Sequence, residues 1–249
     1  MRSFWPIYKR ELFAFFVTPL AWVLIVAFLV VQGMHFFIVI DHLARQVDIA
    51  SDETPVRAFF GNTVLLYLVL FMLVPPMTMR SFAEERRSGT IETLMSGPVS
   101  TAAVVLAKYA AVLTTYVVMW LPTVLYLLIL ARTGALDGPA AAGAYLGVLL
   151  VGAGYLAIGT CASALARSQF VAMIWTAFAL LVLFLIGMGE FVTREGTTFH
   201  DVAVHVSVWG HMNDFASGIV DSRHLVFYGT LIVLPLFIAT RAVDAWRWG

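Results

Sequence analysis

Charge is scarce in this sequence. Asp, Glu, Lys and Arg make up 12% of its 249 residues, half the roughly 25% of a soluble domain. By contrast, 61% of the residues are hydrophobic and the mean hydropathy is +0.91. A globule of this size has too little interior to hide so much apolar surface, so most of it must face lipid. Fifteen basic residues balance fifteen acidic ones, which leaves no net field to attract a polyanion and excludes nucleic-acid binding. Cysteine is nearly absent. Cys161 alone cannot close an internal disulfide and reads as a small core residue. Disorder and a disulfide-stapled secreted fold are excluded on the same composition.

Motifs that carry chemistry are missing as well. Neither lysine follows a glycine (Tyr8-Lys9, Ala107-Lys108), so there is no phosphate-cradling loop, and any ATP used must sit on another chain. Gly-x-Ser-x-Gly, His-Glu-x-x-His and a paired intramembrane aspartate are all absent, which argues against an embedded hydrolase. The spacings among His200, His205, His211 and His224 lack the i, i+4 pair that sets two imidazoles on one helix face, so they read as solvated loop histidines and no metal is expected. Within the apolar runs the only strongly ionisable side chains are His35, expected neutral against a neighbour, and Lys108, close enough to an end to snorkel. An unpaired charge at mid-bilayer costs at least ~3 kcal/mol and is kept for ion relay or charge pairing. A proton- or ion-driven carrier and a voltage sensor therefore do not fit.

What remains is six apolar runs of membrane-spanning length: residues 21–40, 59–79, 101–131, 139–164, 170–189 and 225–240. They are continuously apolar, so the expected fold is all-α with six transmembrane helices. The long third run can kink at Pro122. With the N-terminus inside, the inner segments hold ten basic residues and the outer ones five, which predicts both termini in the cytoplasm. The first run lacks a cleavage site after it and is expected to remain as an anchor. Before it, Phe4, Tyr8, Leu12 and Phe16 recur every four residues, with Lys9, Arg10 and Glu11 off the stripe. This suggests an amphipathic elbow over 4–17, ended by Thr18-Pro19, or else an extension of the first span.

One loop concentrates charge. It runs from Arg80 through Glu84, Glu85, Arg86, Arg87, Ser88, Gly89, Thr90, Ile91, Glu92 and Leu94 to Ser100. Pro75 and Pro76 weaken the helix before it. Gly89 interrupts the helix, Thr90 can cap a new short one, and Glu92 falls in its first turn. A helix this short needs a docking surface, its own neighbours or a partner; a plain polar loop accounts for the residues equally well. The fourth run carries Gly143 and Gly147 at GxxxG spacing, suited to close helix packing.

The segments Met79–Glu85, Ser88–Leu94 and Pro98-Val99-Ser100 resemble the signature loop of type-two ABC exporter permeases, most nearly the gliding-motility branch. Lys9-Arg10-Glu11-Leu12 leading to Phe15-Phe16-x-x-Pro19, Lys108-Tyr109 with Leu121-Pro122-Thr123, Ala157-Ile158-Gly159 with Ser168-Gln169, and Phe215–Asp221 extend the resemblance over nearly the whole chain. It implies a non-catalytic permease subunit in a bacterial cytoplasmic membrane. Residues 88–94 would be a coupling helix on a cytoplasmic ATPase, flanked by Glu84–Arg87, and residues 190–224 would hold re-entrant helices. Two ATPase subunits would carry ATP and Mg, a second permease copy or paralogue would complete the pore, and an extracytoplasmic accessory protein could attach. Val202, Val204, Val206 and Val208 alternate like a strand, yet an open strand edge cannot sit in lipid, so helix is expected there. Sparse polar groups, Gln32, Asn62, Tyr67, Thr114, Thr115, Tyr116, Thr123 and Tyr126, suit an amphipathic cargo or simple helix–helix hydrogen bonding. Export, mechanical transmission by the same fold to an outer partner, and a six-span receptor or scaffold without ATP coupling all remain open.

Overall fold

The computed structural model describes residues 4–45, 54–61, 63–89, 99–133, 136–194 and 196–246. Among them there is no strand, and six helices are long and apolar enough to cross a membrane. In chain order the helices are α1 Phe4–Val17, α2 Pro19–Arg45, α3 Pro55–Phe60, α4 Val64–Thr78, α5 Ala83–Ser88, α6 Thr101–Trp120, α7 Val124–Thr133, α8 Gly138–Leu165, α9 Gln169–Val192, α10 Thr198–Val206, α11 Val208–Ala216 and α12 Ser222–Ala245.

α8 is the axis of the bundle. Of its most apolar stretch, 78% is buried inside the protein, against 17% for α2 and 22% each for α9 and α12; those three turn most of their surface to lipid. The cause is composition: α8 is largely Gly and Ala, and without side-chain bulk its neighbours approach the backbone closely. Gly152 faces the Tyr116 ring of α6, Gly154 faces Leu231 of α12, and Gly159 faces Thr78 of α4. Gly143 and Gly147 are packing residues too, but their partner is the short helix α11, at the backbone of Phe215 and the side chains of Phe215 and Met212. The GxxxG spacing thus serves close packing against the short helix α11.

The elbow is a separate helix. Thr18 ends α1, its Oγ1 donating to Phe15 O at 2.6 Å, while Trp22 Nε1 reaches back to Phe16 O at 2.9 Å; α1 then lies along α6, with Tyr8 Oη 2.9 Å from Thr114 Oγ1. Pro122 does kink the third span, through a single 3-10 turn over Leu121–Thr123 between α6 and α7. The second expected span differs. Its first residues, Phe59 and Phe60, belong to α3, which begins at a Thr54 cap with Pro55 behind it and stops at Gly61. The chain restarts at a second cap, Thr63, whose Oγ1 accepts from Leu65 N at 3.2 Å. α3 buries Phe59 and Phe60 in an aromatic cluster with His35, Phe36, Trp120, Tyr126 and Tyr145. Residues 198–216 are helical, α10 and α11 sharing Ser207 as stop and start, its Oγ accepting from Gly210 N at 3.2 Å.

Candidate functional site

The hinge that charge marks out in the sequence lies at one end of the bundle, at the turn after α4. α4 passes through Pro75 and Pro76 without breaking: Thr78 Oγ1 donates to Val74 O at 2.9 Å and Met79 N to Pro75 O at 3.0 Å. The break falls over residues 79–82, and Ser163 of α8 holds it. Phe82 N and Ala83 N both donate to Ser163 Oγ, at 3.0 and 3.2 Å, and that hydroxyl donates to Met79 O at 3.1 Å. One side chain thereby replaces the helix bonds lost at the turn. α5 ends at Gly89 with φ 71°, a left-handed conformation suited to glycine. Thr90, Ile91, Glu92 and Leu94 lie outside the described residues, as does Asn62.

The four charged residues of α5 divide by role. Among the described residues Glu84 and Arg87 pair with each other, at 3.6 Å, and both are partly open to solvent. Arg86 turns back to the bundle: its guanidinium is 3.4 Å from the carbonyls of Leu165 and Ala166 at the end of α8 and sits 4.8 Å over the Trp246 ring. Glu85 points inward to Lys108 of α6, Nζ to Oε1 at 2.9 Å.

Lys108 does not snorkel. It is 2% exposed and bridges two carboxylates, Glu85 and, at 3.2 Å, Glu11 of the elbow. Arg10 closes the group from outside, 2.7 Å from Glu11 and 3.4 Å from Glu85. Two cations and two carboxylates thus balance within one cluster that staples α1, α5 and α6 together. Glu11 therefore belongs to the packed face of the elbow, beside Ile7, Tyr8 and Phe15; of the expected stripe, Phe4 and Tyr8 pack against the core and Leu12 and Phe16 are half-buried. A charge cluster at this depth is stable because each desolvated ion meets an opposite one. Beside it opens a cavity of about 150 Å³ whose walls include Thr18, Arg80 and Ser81.

The opposite end carries a cap made of α3, α10 and α11. Arg57 Nε of α3 donates to Asn213 Oδ1 of α11 at 3.0 Å, so the pieces brace each other. His211 and His224 are not solvated loop residues: His211 is 4% exposed, the two rings lie 4.1 Å apart, and Tyr228 Oη is 3.2 Å from His211 Nδ1. Asp214 faces His224 Nε2 at 3.6 Å, and His205 packs edge-on to Phe227. Among the described residues no group of three or more His, Cys, Asp or Glu is placed to hold a metal ion. Burial, then the neighbouring His224 and His205, press the His211 imidazole down to about 4. The unfolded chain takes up that proton near 6.5, so the stability owed to a neutral His211 is complete above pH 6.5 and lost as pH falls toward 4. Melting temperatures of the purified protein should be flat above pH 7 and fall below 6.5, and His211→Phe should make that fall shallower.

The sparse polar groups of the spans mostly bind neighbouring helices. Thr114 meets Tyr8, Tyr116 Oη donates to Val148 O at 3.0 Å, Thr123 meets Tyr145 Oη at 2.8 Å, and Thr115 bonds its own helix. Tyr67 differs: it is 4% exposed and its hydroxyl has no hydrogen-bond partner among the described residues.

Six apolar helices around a Gly/Ala-rich axis, with a charge-stapled elbow at one end and a cap of short helices at the other, define a multi-pass helical membrane protein. The chain belongs to the ABC-2 family transporter proteins, whose family match covers residues 38–220, more than half of its length. It is thus the permease, or membrane-embedded, subunit of an ABC transporter, and the family implies ABC ATPase subunits as its partners. No curated protein matches the chain.

Proposed function

We propose that this permease is an exporter subunit of the gliding-motility-type branch, driven through residues 88–94 by a cytoplasmic ATPase. In this reading both termini and the α5 end face the cytoplasm of a bacterial cell, two permease copies or paralogues meet two ATPases, and ATP and Mg are held by the ATPases alone. Residues Ser88 to Leu94 dock on the ATPase, with Glu84 and Arg87 at the rim of the contact.

The observation that supports this reading is the Lys108 cluster that holds α5, the helix from which residues 88–94 continue. A short loop helix can move a bundle only if its base is tied to more than one span. Glu85 ties it to α6 and to the elbow, and Arg86 ties it to the end of α8. A push on Gly89 therefore reaches three long helices as one body, which is what an ATP-biased two-state bundle requires.

The test is co-expression with a candidate cytoplasmic ABC ATPase. Ile91→Ala with Glu92→Ala should weaken association and stimulated ATP turnover by about tenfold or more, with the melting temperature of the permease unchanged. Full association and turnover in that variant would overturn the coupling assignment. Cargo movement into sealed vesicles then separates export from mechanical transmission to an outer partner.

A further inference from the structure

We propose that the cavity between α1, α2, α4 and α6 binds the phosphate end of an anionic phospholipid, with Arg80 as its cation and Ser81 as a second donor. The cavity measures about 150 Å³, and its lining divides by chemistry. Glu11, Thr18, Arg80, Ser81 and Lys108 are polar, and the rest, Phe15, Leu20, Met77 and Val112 among them, is apolar. The site needs only the chain's place in a bilayer and is independent of the coupling reading.

Arg80 supplies the selecting charge. The other cations around the hinge are already met: Arg10 and Lys108 by Glu11 and Glu85, Arg86 by the carbonyls of Leu165 and Ala166, and Arg87 by Glu84. Arg80 is exposed, lines the cavity, and has no hydrogen-bond or ion-pair partner among the described residues. Since the cluster beside it balances its own charges, the cavity keeps one net positive charge. Ser81 is 7% exposed, and its hydroxyl makes no hydrogen bond among the described residues yet is not fully enclosed. Thr18 uses its proton on Phe15 O at 2.6 Å and is left only to accept. The donors open to an occupant are therefore a guanidinium, whose planar fork matches two phosphate oxygens, and one neighbouring hydroxyl.

The apolar lining decides what carries the phosphate. A free inorganic anion would satisfy Arg80 but leave that lining wet. A plain hydrocarbon would fill it and leave Arg80 without a counter-charge. A zwitterionic headgroup brings an ammonium, and the one carboxylate in the lining, Glu11, is already held by Arg10 and Lys108. What fits is a net-anionic phosphate with acyl chains behind it. The bilayer is the source: α2 leaves the cavity at Leu20 and Ala21 and continues with Trp22, Val23 and Val26 exposed, a surface on which those chains can lie. Phe13 and Val17 of the elbow are exposed as well. A basic pocket between spans at headgroup depth is a form in which anionic lipids are recognised.

The probe is phosphatidylglycerol with a diazirine near the carbonyl of one acyl chain, photolysed with the purified full chain in phosphatidylcholine vesicles and read by peptide mass spectrometry. Labelling should fall on the segments holding Leu20, Met77 or Val112 and exceed that from a phosphatidylcholine probe of the same chain by about fivefold. Arg80→Gln should lower it by about five- to tenfold, Ser81→Ala by about two- to threefold, and Arg80→Lys should restore part of it. Arg241 is exposed on α12 and rests over Phe237, so Arg241→Gln should leave the labelling within about twofold if the site, rather than interfacial charge in general, holds the lipid. The melting temperature without phosphatidylglycerol should be the same in Arg80→Gln as in the parent, and added phosphatidylglycerol should raise it in the parent alone. Equal labelling by the two probes, an equal loss in Arg241→Gln, or unchanged labelling in Arg80→Gln would each overturn the proposal. So would inorganic phosphate displacing the probe as well as unlabelled phosphatidylglycerol does. Labelling that appears only in Glu92→Ala would also overturn it, by placing the chain's own loop on Arg80.

Discussion

Substituting Lys108 with methionine is expected to cost the folded chain about 3 kcal/mol, a larger loss than either carboxylate substitution in the same cluster. Methionine matches the lysine stem in volume, so packing against Phe82 is kept and the change is almost purely one of charge. What it leaves behind is two carboxylates facing each other across the joint of α1, α5 and α6, with only Arg10 between them. Breaking a buried pair by removing one partner costs 3–5 kcal/mol. The lower end applies because Glu11 and Glu85 are 22% and 17% exposed and can draw in water. Glu85→Gln should cost about half as much, since Lys108 keeps Glu11 and the new amide can still accept from it. Joining Lys108→Met with Glu85→Gln should therefore be less damaging than the sum of the two, by about 1–2 kcal/mol, because the double variant leaves one carboxylate with one arginine. Melting temperatures of the four proteins in one detergent measure this directly; strict additivity would mean that the three helices are held by packing alone.

The cluster also marks the limit of reading this chain in one dimension. Lys108 was conspicuous as a lysine inside an apolar run, and its distance from the helix start made snorkelling the simplest outcome. Its partners sit 23 and 97 residues away, and nothing in local pattern pairs them. Glu11 did carry a signal. It lies four residues after Ile7 and four before Phe15, on the same face as both, and an acid in an apolar stripe makes sense only opposite a buried cation.

Length and apolarity fixed the six spans because lipid allows few alternatives, and Pro122 and Gly89 act as their local chemistry dictates. α3 was also written locally, in Thr54-Pro55 as cap and first turn and in Gly61 and Thr63 as stop and restart. It was concealed because Phe59 and Phe60 are as apolar as the span they precede. The choice of helix over strand for 198–216 rested on the cost of an unpaired edge in lipid, and that cost governs the fold. Burial of His211 was not legible at all. Loop histidines are usually wet, and this one is taken out of water by the docking of α11 on α8 together with the rings of His224, Phe227 and Tyr228 of α12.

That docking leads to the second large effect. Gly143→Ala is expected to destabilise the cap by about 2–4 kcal/mol, although the added methyl is the smallest change a glycine can undergo. A Cβ at Gly143 would fall directly on the carbonyl oxygen of Phe215, with Phe215 C at 3.3 Å and Gly218 Cα at 3.4 Å close behind. All three are main-chain atoms, so no rotamer change relieves the clash, and α8 and α11 must part. Gly147 is one turn along the same face, but its Cβ would meet side-chain atoms, Phe215 Cδ2 at 2.7 Å, Met212 Sδ at 2.9 Å and Phe215 Cβ at 2.9 Å, and no main-chain atom as close. Methionine in particular can shift, and Gly147→Ala should therefore cost less, about 1–2 kcal/mol. Gly229 of α12 has open space around its Cβ, so Gly229→Ala should be neutral or stabilising by up to ~1 kcal/mol. The order Gly143, Gly147, Gly229 in melting temperature tests the packing of α11 specifically, because helix propensity alone would favour alanine at all three positions.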